Sequence, residues 1–69
     1  MIVKIQVSQY TTAGQQQMFI YSKDESVKYQ GPITEAVETI MQGRPKIYCE
    51  VKTYGDTIEL IDIVEDQDW

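Results

Sequence analysis

Apolar and polar residues alternate at the start of this 69-residue chain, over Ile2 to Tyr10. Val3, Ile5 and Val7 therefore share one side of the segment, which is the period of a strand with one buried face. The small and polar residues 11–16 interrupt this alternation. The pattern predicts a first strand followed by a loop.

The alternation resumes over residues 17–22, where Met18 and Ile20 face one side and two aromatic residues face the other. This segment predicts a second strand. Residues 23–26 are polar and predict a turn. Residues 27–30 then predict a short return strand, so that the two strands form a hairpin.

The period changes to that of a helix in the middle of the chain. Five apolar residues recur at the spacing of a single helical stripe: Ile33, Ala36, Val37, Ile40 and Met41. Thr34 or Gly31 can cap the start of this helix, with Pro32 in its first turn. Gly43 followed by Pro45 predicts its end.

Two further strands are predicted after the helix. The first covers Lys46 to Tyr54, and its apolar side carries three residues: Ile47, Cys49 and Val51. A Gly-Asp turn leads into the second, over Thr57 to Val64. The alternation slips at Leu60 and Ile61, which indicates either a bulge or a strand covered on both faces.

The elements follow the order β-β-β-α-β-β and predict an α+β fold, a mostly antiparallel sheet of four to five strands with one short helix on one face. Residues 1–64 are expected to form a single domain, because so short a chain holds no second one. Residues 65–69 are expected to form an acidic C-terminal tail that ends in tryptophan. A helix of about ten residues is roughly 15 Å long and covers one sheet face only. The other face is therefore expected to meet water or a partner.

Aromatic residues collect on the sheet face that the helix is expected to leave uncovered: Tyr10, Phe19, Tyr21, Tyr48 and Tyr54. Tyrosine is frequent at interfaces because its ring buries a large area while its hydroxyl keeps a hydrogen bond. Two interpretations are open. The rings form cross-strand pairs that stabilise the sheet, or they form an interface with a partner protein or with a second copy in a homodimer.

Charge is distributed unevenly along the chain. Eleven acidic and six basic residues give a net charge of −5. Residues 1–49 hold five bases against four acids, a net +1, whereas residues 50–69 hold one base against seven acids, a net −6. Direct binding to nucleic acid is not expected, because phosphate neutralisation needs clustered Lys and Arg. The acidic third either keeps a small domain in solution or suits a basic surface on another protein.

The only tryptophan of the chain, Trp69, follows the acidic run of residues 65–68. A polar terminal segment is expected to fray, and an exposed Trp69 would then be an anchor for a basic partner. Alternatively, Trp69 folds back and caps the core. The sequence leaves both interpretations open.

Two cations, Arg44 and Lys46, bracket Pro45 in a chain that is otherwise poor in bases. An anionic ligand could bind between them. The alternative is a helix stop with solvated side chains. The sequence leaves this choice open as well.

The chain lacks the residue sets that catalysis and metal binding use. It has no histidine, and its single cysteine, Cys49, lies on the apolar side of a predicted strand, which predicts inert packing. The adjacent acids Asp24/Glu25 and Glu65/Asp66 lie in a turn and in the tail, where no wall would raise a carboxyl pKa. No Gly-rich phosphate loop is present. We predict a protein that is not an enzyme and that needs no metal or cofactor.

The start of the chain alternates instead of forming an apolar core behind a basic head, so no signal peptide is predicted. The longest apolar run, Met18 to Tyr21, is too short to span a membrane. A lone cysteine suits a reducing compartment. A cytoplasmic protein without membrane association is expected.

Several short motifs resemble those of small accessory proteins that bacteriophages encode against host machinery: Phe19-Ile20-Tyr21 with an Asp-containing turn, Gly43-Arg44-Pro45-Lys46 and Gln67-Asp68-Trp69. The small size and the acidic, cysteine-poor composition add to this resemblance, which holds only at the level of a class. It implies an inhibitor that acts in the host cytoplasm by occupying the surface of a host enzyme or defence complex. It implies no catalytic residues.

The sequence thus predicts a non-enzymatic, protein-binding inhibitor of a basic, often nucleic-acid-binding, surface on a host protein. The acids expected to steer binding are Asp62, Glu65, Asp66 and Asp68, and the expected anchors are Tyr48, Tyr54 and Trp69. One alternative is a homo-oligomeric module that sequesters a small anionic ligand, such as a signalling nucleotide, through Arg44 and Lys46 at a subunit junction. A further alternative is a structural subunit of a larger assembly.

Overall fold

Five strands and one helix make up the fold in a computed structural model that describes residues 1–12 and 15–69, with side chains over 1–8 and 16–69. Their order along the chain is β1 (Ile2–Thr12), β2 (Gln15–Ser22), β3 (Lys28–Pro32), α1 (Glu35–Met41), β4 (Lys46–Tyr54) and β5 (Thr57–Val64). The strands pair antiparallel in one sheet ordered β3-β2-β1-β4-β5. The predicted α+β architecture, an antiparallel sheet with one short helix, is confirmed. The sheet does not follow the order of the strands along the chain.

The central strand is β1, which pairs with β2 on one side and with β4 on the other. Ile5 lies opposite Ile20 of β2 and Ile47 of β4. Side chains alternate along a strand, so residues in register point to the same face. That face forms the core with Val37 and Met41 of α1. The predicted apolar face is therefore confirmed, with seven of its residues buried and Val7 packed against them in part: Val3, Ile5, Met18, Ile20, Ile47, Cys49 and Val51.

Helix α1 begins where Thr34 caps it. Thr34 has an extended backbone, and its Oγ1 accepts a hydrogen bond from the Val37 N–H at 3.3 Å. Of the two predicted caps, Thr34 is confirmed. Pro32 belongs to the edge strand β3 rather than to the first helical turn, which is compatible with its missing N–H. Among the described residues, no helix is both long and apolar enough to cross a bilayer.

The hairpin between β1 and β2 is longer than the sequence predicts. Thr11 pairs with Gln16 and Thr12 with Gln15, so the predicted loop over 11–16 is wrong at both of its ends. Backbone pairing continues there because main-chain hydrogen bonds need no apolar side chain. Residues 13 and 14 at its centre lie outside the described residues.

Gly31, the other predicted helix cap, is buried within β3 instead. It lies opposite Met18, and the ring of Tyr29 passes over it. A Cβ at position 31 would lie 2.5 Å from the Tyr29 hydroxyl oxygen. The glycine therefore makes room for an aromatic ring instead of providing a turn.

A bulge interrupts the pairing of β4 and β5. Glu50 is opposite Asp62, but the next residue, Val51, is opposite Leu60. Ile61 is therefore the extra residue, and its side chain is 46% exposed. Of the two interpretations of the slip at Leu60 and Ile61, the bulge is the one that the structure shows.

Candidate functional site

Lys4 lies at the centre of the open face, which is the face of the sheet opposite α1. Its cross-strand neighbours are Tyr21 of β2 and Tyr48 of β4. Its Nζ lies 5.3 Å from the ring centre of Tyr21, 5.7 Å from that of Tyr48 and 5.5 Å from that of Trp69. All three distances fall within the roughly 6 Å over which an aromatic ring attracts a cation. We call Lys4, Tyr21, Tyr48 and Trp69 the Lys4 cluster.

Trp69 reaches this cluster because the tail folds back over the sheet. The Trp69 ring lies 5.3 Å from the Tyr48 ring at an interplanar angle of 78°, and 6.4 Å from the Tyr21 ring at 61°. Both are edge-to-face arrangements, which favour the aromatic quadrupoles. The Tyr48 hydroxyl also donates a hydrogen bond to the backbone oxygen of Trp69. Of the two interpretations of Trp69, the structure shows the fold-back, although onto the open face and not onto the helix side.

The pKa of the Lys4 ammonium is raised above its ordinary value. Desolvation, the largest single influence, lowers this pKa, but the neighbouring Tyr21 and Tyr48 side chains together outweigh it. Lys4 therefore stays protonated across the physiological range. The cluster thus combines a fixed positive charge with three aromatic rings.

The fold-back changes what the open face offers to a partner. Tyr48, a predicted anchor, is only 1% exposed and has no surface to offer while Trp69 lies on it. Trp69 is half-buried, and Tyr54 is 57% exposed at the end of β4. The side chain of Tyr10 lies outside the described residues. The homodimer prediction requires a free open face. Trp69 of the same chain covers the centre of that face.

The acids of the last third of the chain, residues 50–69, are exposed. All seven are at the surface: Glu50, Asp56, Glu59, Asp62, Glu65, Asp66 and Asp68. Over the described part of the chain, the one ion pair joins Lys28 to Glu25 at 3.7 Å and involves none of these acids. Glu50 and Asp62 even lie directly opposite each other, a like-charge pairing that disfavours the sheet. Within the described residues none of these acids forms an ion pair, although Lys52 is the cross-strand neighbour of Glu59.

The bulge decides where two of these acids point. Glu59 is opposite Lys52, and Asp62 is opposite Glu50. Since positions 50 and 52 of β4 point to the same face, Glu59 and Asp62 do so as well. In a regular strand, residues three apart would point to opposite faces. The extra residue Ile61 therefore gathers both acids on the open face, beside the tail.

Arg44 and Lys46 make different contacts and line different depressions. The Arg44 Nε donates a hydrogen bond to the backbone oxygen of Met41 at 3.3 Å, and Arg44 lines a depression that also contains Glu38. Lys46 lies on the open face, with its Nζ 5.9 Å from the Tyr48 ring centre. It lines a different depression.

Cys49 lies in the core, on the opposite side of the sheet from the Lys4 cluster. It is buried, and its burial raises the pKa of the thiol above the ordinary value of 9.0. The neutral thiol is a weak nucleophile. Within residues 1–12 and 15–69, no group of three or more His, Cys, Asp or Glu side chains is placed to hold a metal ion.

A cleft of about 410 Å³ opens on the helix side of the sheet, between α1, Tyr29 and β5. Its floor is apolar and includes Met18, Ile20 and Val37, and Asp56 is the charged residue in its wall. The two sides of the sheet therefore differ in chemistry. The helix side offers an apolar cleft, and the open face offers charges and aromatic rings.

Lys4 is the residue of this site that sequence reasoning missed. It occupies a polar position of the first predicted strand. This position shows that Lys4 faces away from the core but says nothing about its neighbours. Its proximity to Tyr21 and Tyr48 follows from strand register, and register between distant strands is not encoded in a local pattern. The alternation of aromatic residues on the same face was the one available signal.

Comparison of the chain with protein-family models, with curated proteins and with solved structures gives no match.

Proposed function

We propose that the protein is a non-enzymatic inhibitor that uses an acidic surface to occupy a basic surface of another protein. The expected target is a host or defence protein whose basic surface binds nucleic acid, and the chain would be phage-encoded. The observation that carries this proposal is the unpaired acidic surface of β5 and the tail. We define the acidic surface as Glu59, Asp62, Glu65, Asp66 and Asp68.

The cost of leaving these acids unpaired supports a role in binding. Like charges that lie close together repel one another, and the facing pair Glu50 and Asp62 weakens the sheet. Lys and Arg side chains of a partner would relieve this repulsion on binding. Complementary charge also accelerates encounter and rejects partners of the wrong sign. Surfaces that bind nucleic acid are basic, because they neutralise phosphates.

The docked tail supports the proposal in a second way. Trp69 packs on Tyr48 and thereby holds residues 65–69 against the sheet. An acidic segment that is already ordered loses less conformational entropy when a partner binds it. In this proposal Trp69 and Tyr48 act inside the chain, where they position the acids. Tyr54 is the predicted anchor that remains exposed for direct contact.

The proposal is tested by removing charge from the acidic surface at constant side-chain size. Asp66→Asn with Asp68→Asn removes two charges there, and Glu35→Gln with Glu38→Gln removes two from helix α1 as the matched control. Wild-type chain captures proteins from a host lysate, and the affinity of each captured protein is then measured for all three chains. We expect the tail variant to bind about tenfold more weakly. Each of the two lost charges removes one exposed ion pair with the partner, and such a pair contributes up to about 1 kcal/mol. The control is expected to stay within twofold.

Two further measurements decide the type of function. Affinity is expected to fall as salt increases, because the screening length shortens from about 10 Å at 0.1 M to about 3 Å at 1 M. The captured protein is expected to lose its nucleic acid when the chain saturates it. Equal losses in the two charge variants, or an affinity independent of salt, would exclude the acidic surface as the binding site. A captured protein that keeps its nucleic acid would exclude inhibition by occupation.

A further inference from the structure

We propose that the open face is a binding site for an acidic peptide segment that contains a tryptophan, and that residues 65–69 fill this site within the chain. A segment of the same chemistry from another protein would bind in their place. This inference does not depend on the proposed function. It concerns the surface beneath the tail, and its partner is acidic, whereas the partner in the proposed function is basic.

The site can bind an aromatic residue through both its side chain and its backbone carbonyl. Tyr21 and Tyr48 receive the indole ring edge-to-face, and the Tyr48 hydroxyl donates to the backbone oxygen of the same residue. Lys4 places its ammonium 5.5 Å from the indole ring centre. Two aromatic rings, a cation and a hydrogen-bond donor thus converge on one residue. Such convergence is what distinguishes a specific site from a flat aromatic surface.

The charged groups next to the aromatic rings are lysines and favour an acidic ligand, whereas the acids of the same face, Glu50, Glu59 and Asp62, lie further along β4 and β5. Lys4 and Lys46 both lie on the open face, near Tyr48. The residues that precede Trp69 include three acids, Glu65, Asp66 and Asp68. None of these acids forms an ion pair within the described residues. General attraction to the two lysines, rather than a fixed salt bridge, therefore accompanies the docking of the indole ring.

The tail is attached in a way that allows exchange. Residues 65–69 form no strand and pair with no strand of the sheet. The side-chain amide of Gln67 bonds locally, to the backbone oxygen of Glu65 at 2.7 Å. The hydrogen bond and the ring contacts that join the tail to the sheet are those of Trp69. An incoming segment has to replace these contacts.

The covalent attachment of the tail sets the concentration at which a segment of another protein can replace it. A segment joined by a short linker has an effective concentration of about millimolar. A free peptide therefore competes poorly with the tail of the wild-type chain, whereas a partner with additional contacts competes well. Displacement would also free Glu65, Asp66 and Asp68 from the sheet and would break up the acidic surface.

The test uses the fact that Trp69 is the only tryptophan of the chain. The full-length variant Trp69→Ala has an empty site and no tryptophan emission, so a peptide Glu-Asp-Gln-Asp-Trp supplies the only indole signal. We expect a saturable blue shift of peptide emission. The matched peptide Lys-Lys-Gln-Lys-Trp is expected to give no shift. Adding Tyr48→Phe to the variant is expected to weaken binding about fivefold, through loss of one hydrogen bond.

A second measurement covers the case in which Trp69→Ala does not fold. The acidic peptide, with a fluorine-labelled tryptophan, is then titrated into the wild-type chain at millimolar concentration and followed by fluorine NMR. We expect a bound resonance that the basic peptide does not produce. An absent response, or an equal response to the basic peptide, would overturn the proposal. A dimer that forms with increasing concentration and disappears with Trp69→Ala would assign the site to a second copy and would also overturn it.

Discussion

The hydroxyl of Tyr48 donates a hydrogen bond to the backbone oxygen of Trp69, 21 residues further along the chain, and the indole ring lies edge-on against the same tyrosine. Tyr48 thus holds the tail through its ring and through its hydroxyl. Because Tyr48 is also the cross-strand neighbour of Lys4 in the central strand, it connects the tail to the middle of the sheet.

Tyr48→Phe removes the hydroxyl and keeps the ring. We expect the free energy of unfolding to fall by about 1 kcal/mol, the usual net value of one hydrogen bond. We also expect Trp69 emission to shift to longer wavelength, because the tail is held less firmly. Urea unfolding followed by circular dichroism and by fluorescence measures both effects.

Tyr54→Phe is the matched control for this prediction. Tyr54 is 57% exposed, so the same chemical change is expected to alter stability by less than about 0.5 kcal/mol. Equal effects at positions 48 and 54 would mean that the Tyr48 hydroxyl does not hold the tail.

The interaction between Lys4 and Trp69 can be measured in a double-mutant cycle with Lys4→Met and Trp69→Ala. Methionine keeps the length of the lysine side chain without its charge. We expect a coupling free energy of about 0.5 to 1 kcal/mol, as for an exposed cation near an aromatic ring. The cycle of Lys46→Met with Trp69→Ala is the control. Lys46 contacts the ring of Tyr48 and not that of Trp69 in the described structure, so a coupling as large as that of Lys4 would contradict the geometry.

Asp24 organises the turn between β2 and β3. Its Oδ1 accepts hydrogen bonds from the Ser26 N–H at 3.1 Å and from the hydroxyls of Ser22 and Ser26, both at 2.8 Å. The bonds from the Ser26 N–H, the Ser26 hydroxyl and the Ser22 hydroxyl, in that order of size, lower the pKa of the carboxyl from 3.8 to about 2. The folded state therefore favours the carboxylate form.

A pH dependence of stability follows from this lowered pKa. The contribution of Asp24 is complete above its ordinary pKa, and it is lost as the pH falls from about 4 towards 2, where the folded-state carboxyl takes up its proton. Asp24→Asn retains an acceptor oxygen but cannot titrate, so we expect its stability to fall less over this range. Unfolding at several pH values between 2 and 6 measures the difference. Equal slopes for wild type and Asp24→Asn over this range would contradict the prediction.

The Cys49 thiol is expected to be protected in the folded protein. It is buried, and burial raises its pKa, so both access and thiolate formation are suppressed. A thiol reagent at pH 8 is expected to react at the rate of unfolding and rapidly in urea. Rapid reaction of native protein would contradict the burial.

The same thiol should influence stability at high pH. The unfolded thiol ionises near its ordinary pKa, while the folded thiol stays neutral to a higher pH. The stability that this group provides is therefore present below pH 9 and decreases as the pH rises further. Cys49→Ala is expected to remove this part of the slope when unfolding is compared with wild type between pH 8 and 10.

Local sequence patterns predicted the helix and the strands well, because each of these elements depends mainly on residues that are close in sequence. The helical stripe with Thr34 before it, and the slip at Leu60 and Ile61, both correspond to features of the structure. Gly31 and Thr11 were misjudged for one shared reason. Local sequence marked Gly31 as a possible helix cap and Thr11 as a loop residue, whereas backbone pairing with a neighbouring strand placed both in strands.

The arrangement of the site could not be predicted, because it depends on contacts between distant parts of the chain. The sequence placed Tyr48 on the open face but could not show that Trp69 covers it. The choice between a free and a docked tail depends on whether the rings of the sheet face lie within reach. The distance between the tail and these rings depends on the strand order, and no local pattern contains the strand order.

The strand order also has a consequence for how the chain folds. The pairs β1–β2 and β4–β5 are hairpins whose strands are close in sequence, whereas β1 and β4 pair Ile5 with Ile47 across most of the chain. Closing a long loop costs more entropy than closing a hairpin, and such distant pairings slow folding. We expect the two hairpins to form first and their joining along β1 and β4 to limit the folding rate. The tail can then bind only in the last step, because Lys4 and Tyr48 belong to different hairpins and the site they share does not exist until these have met.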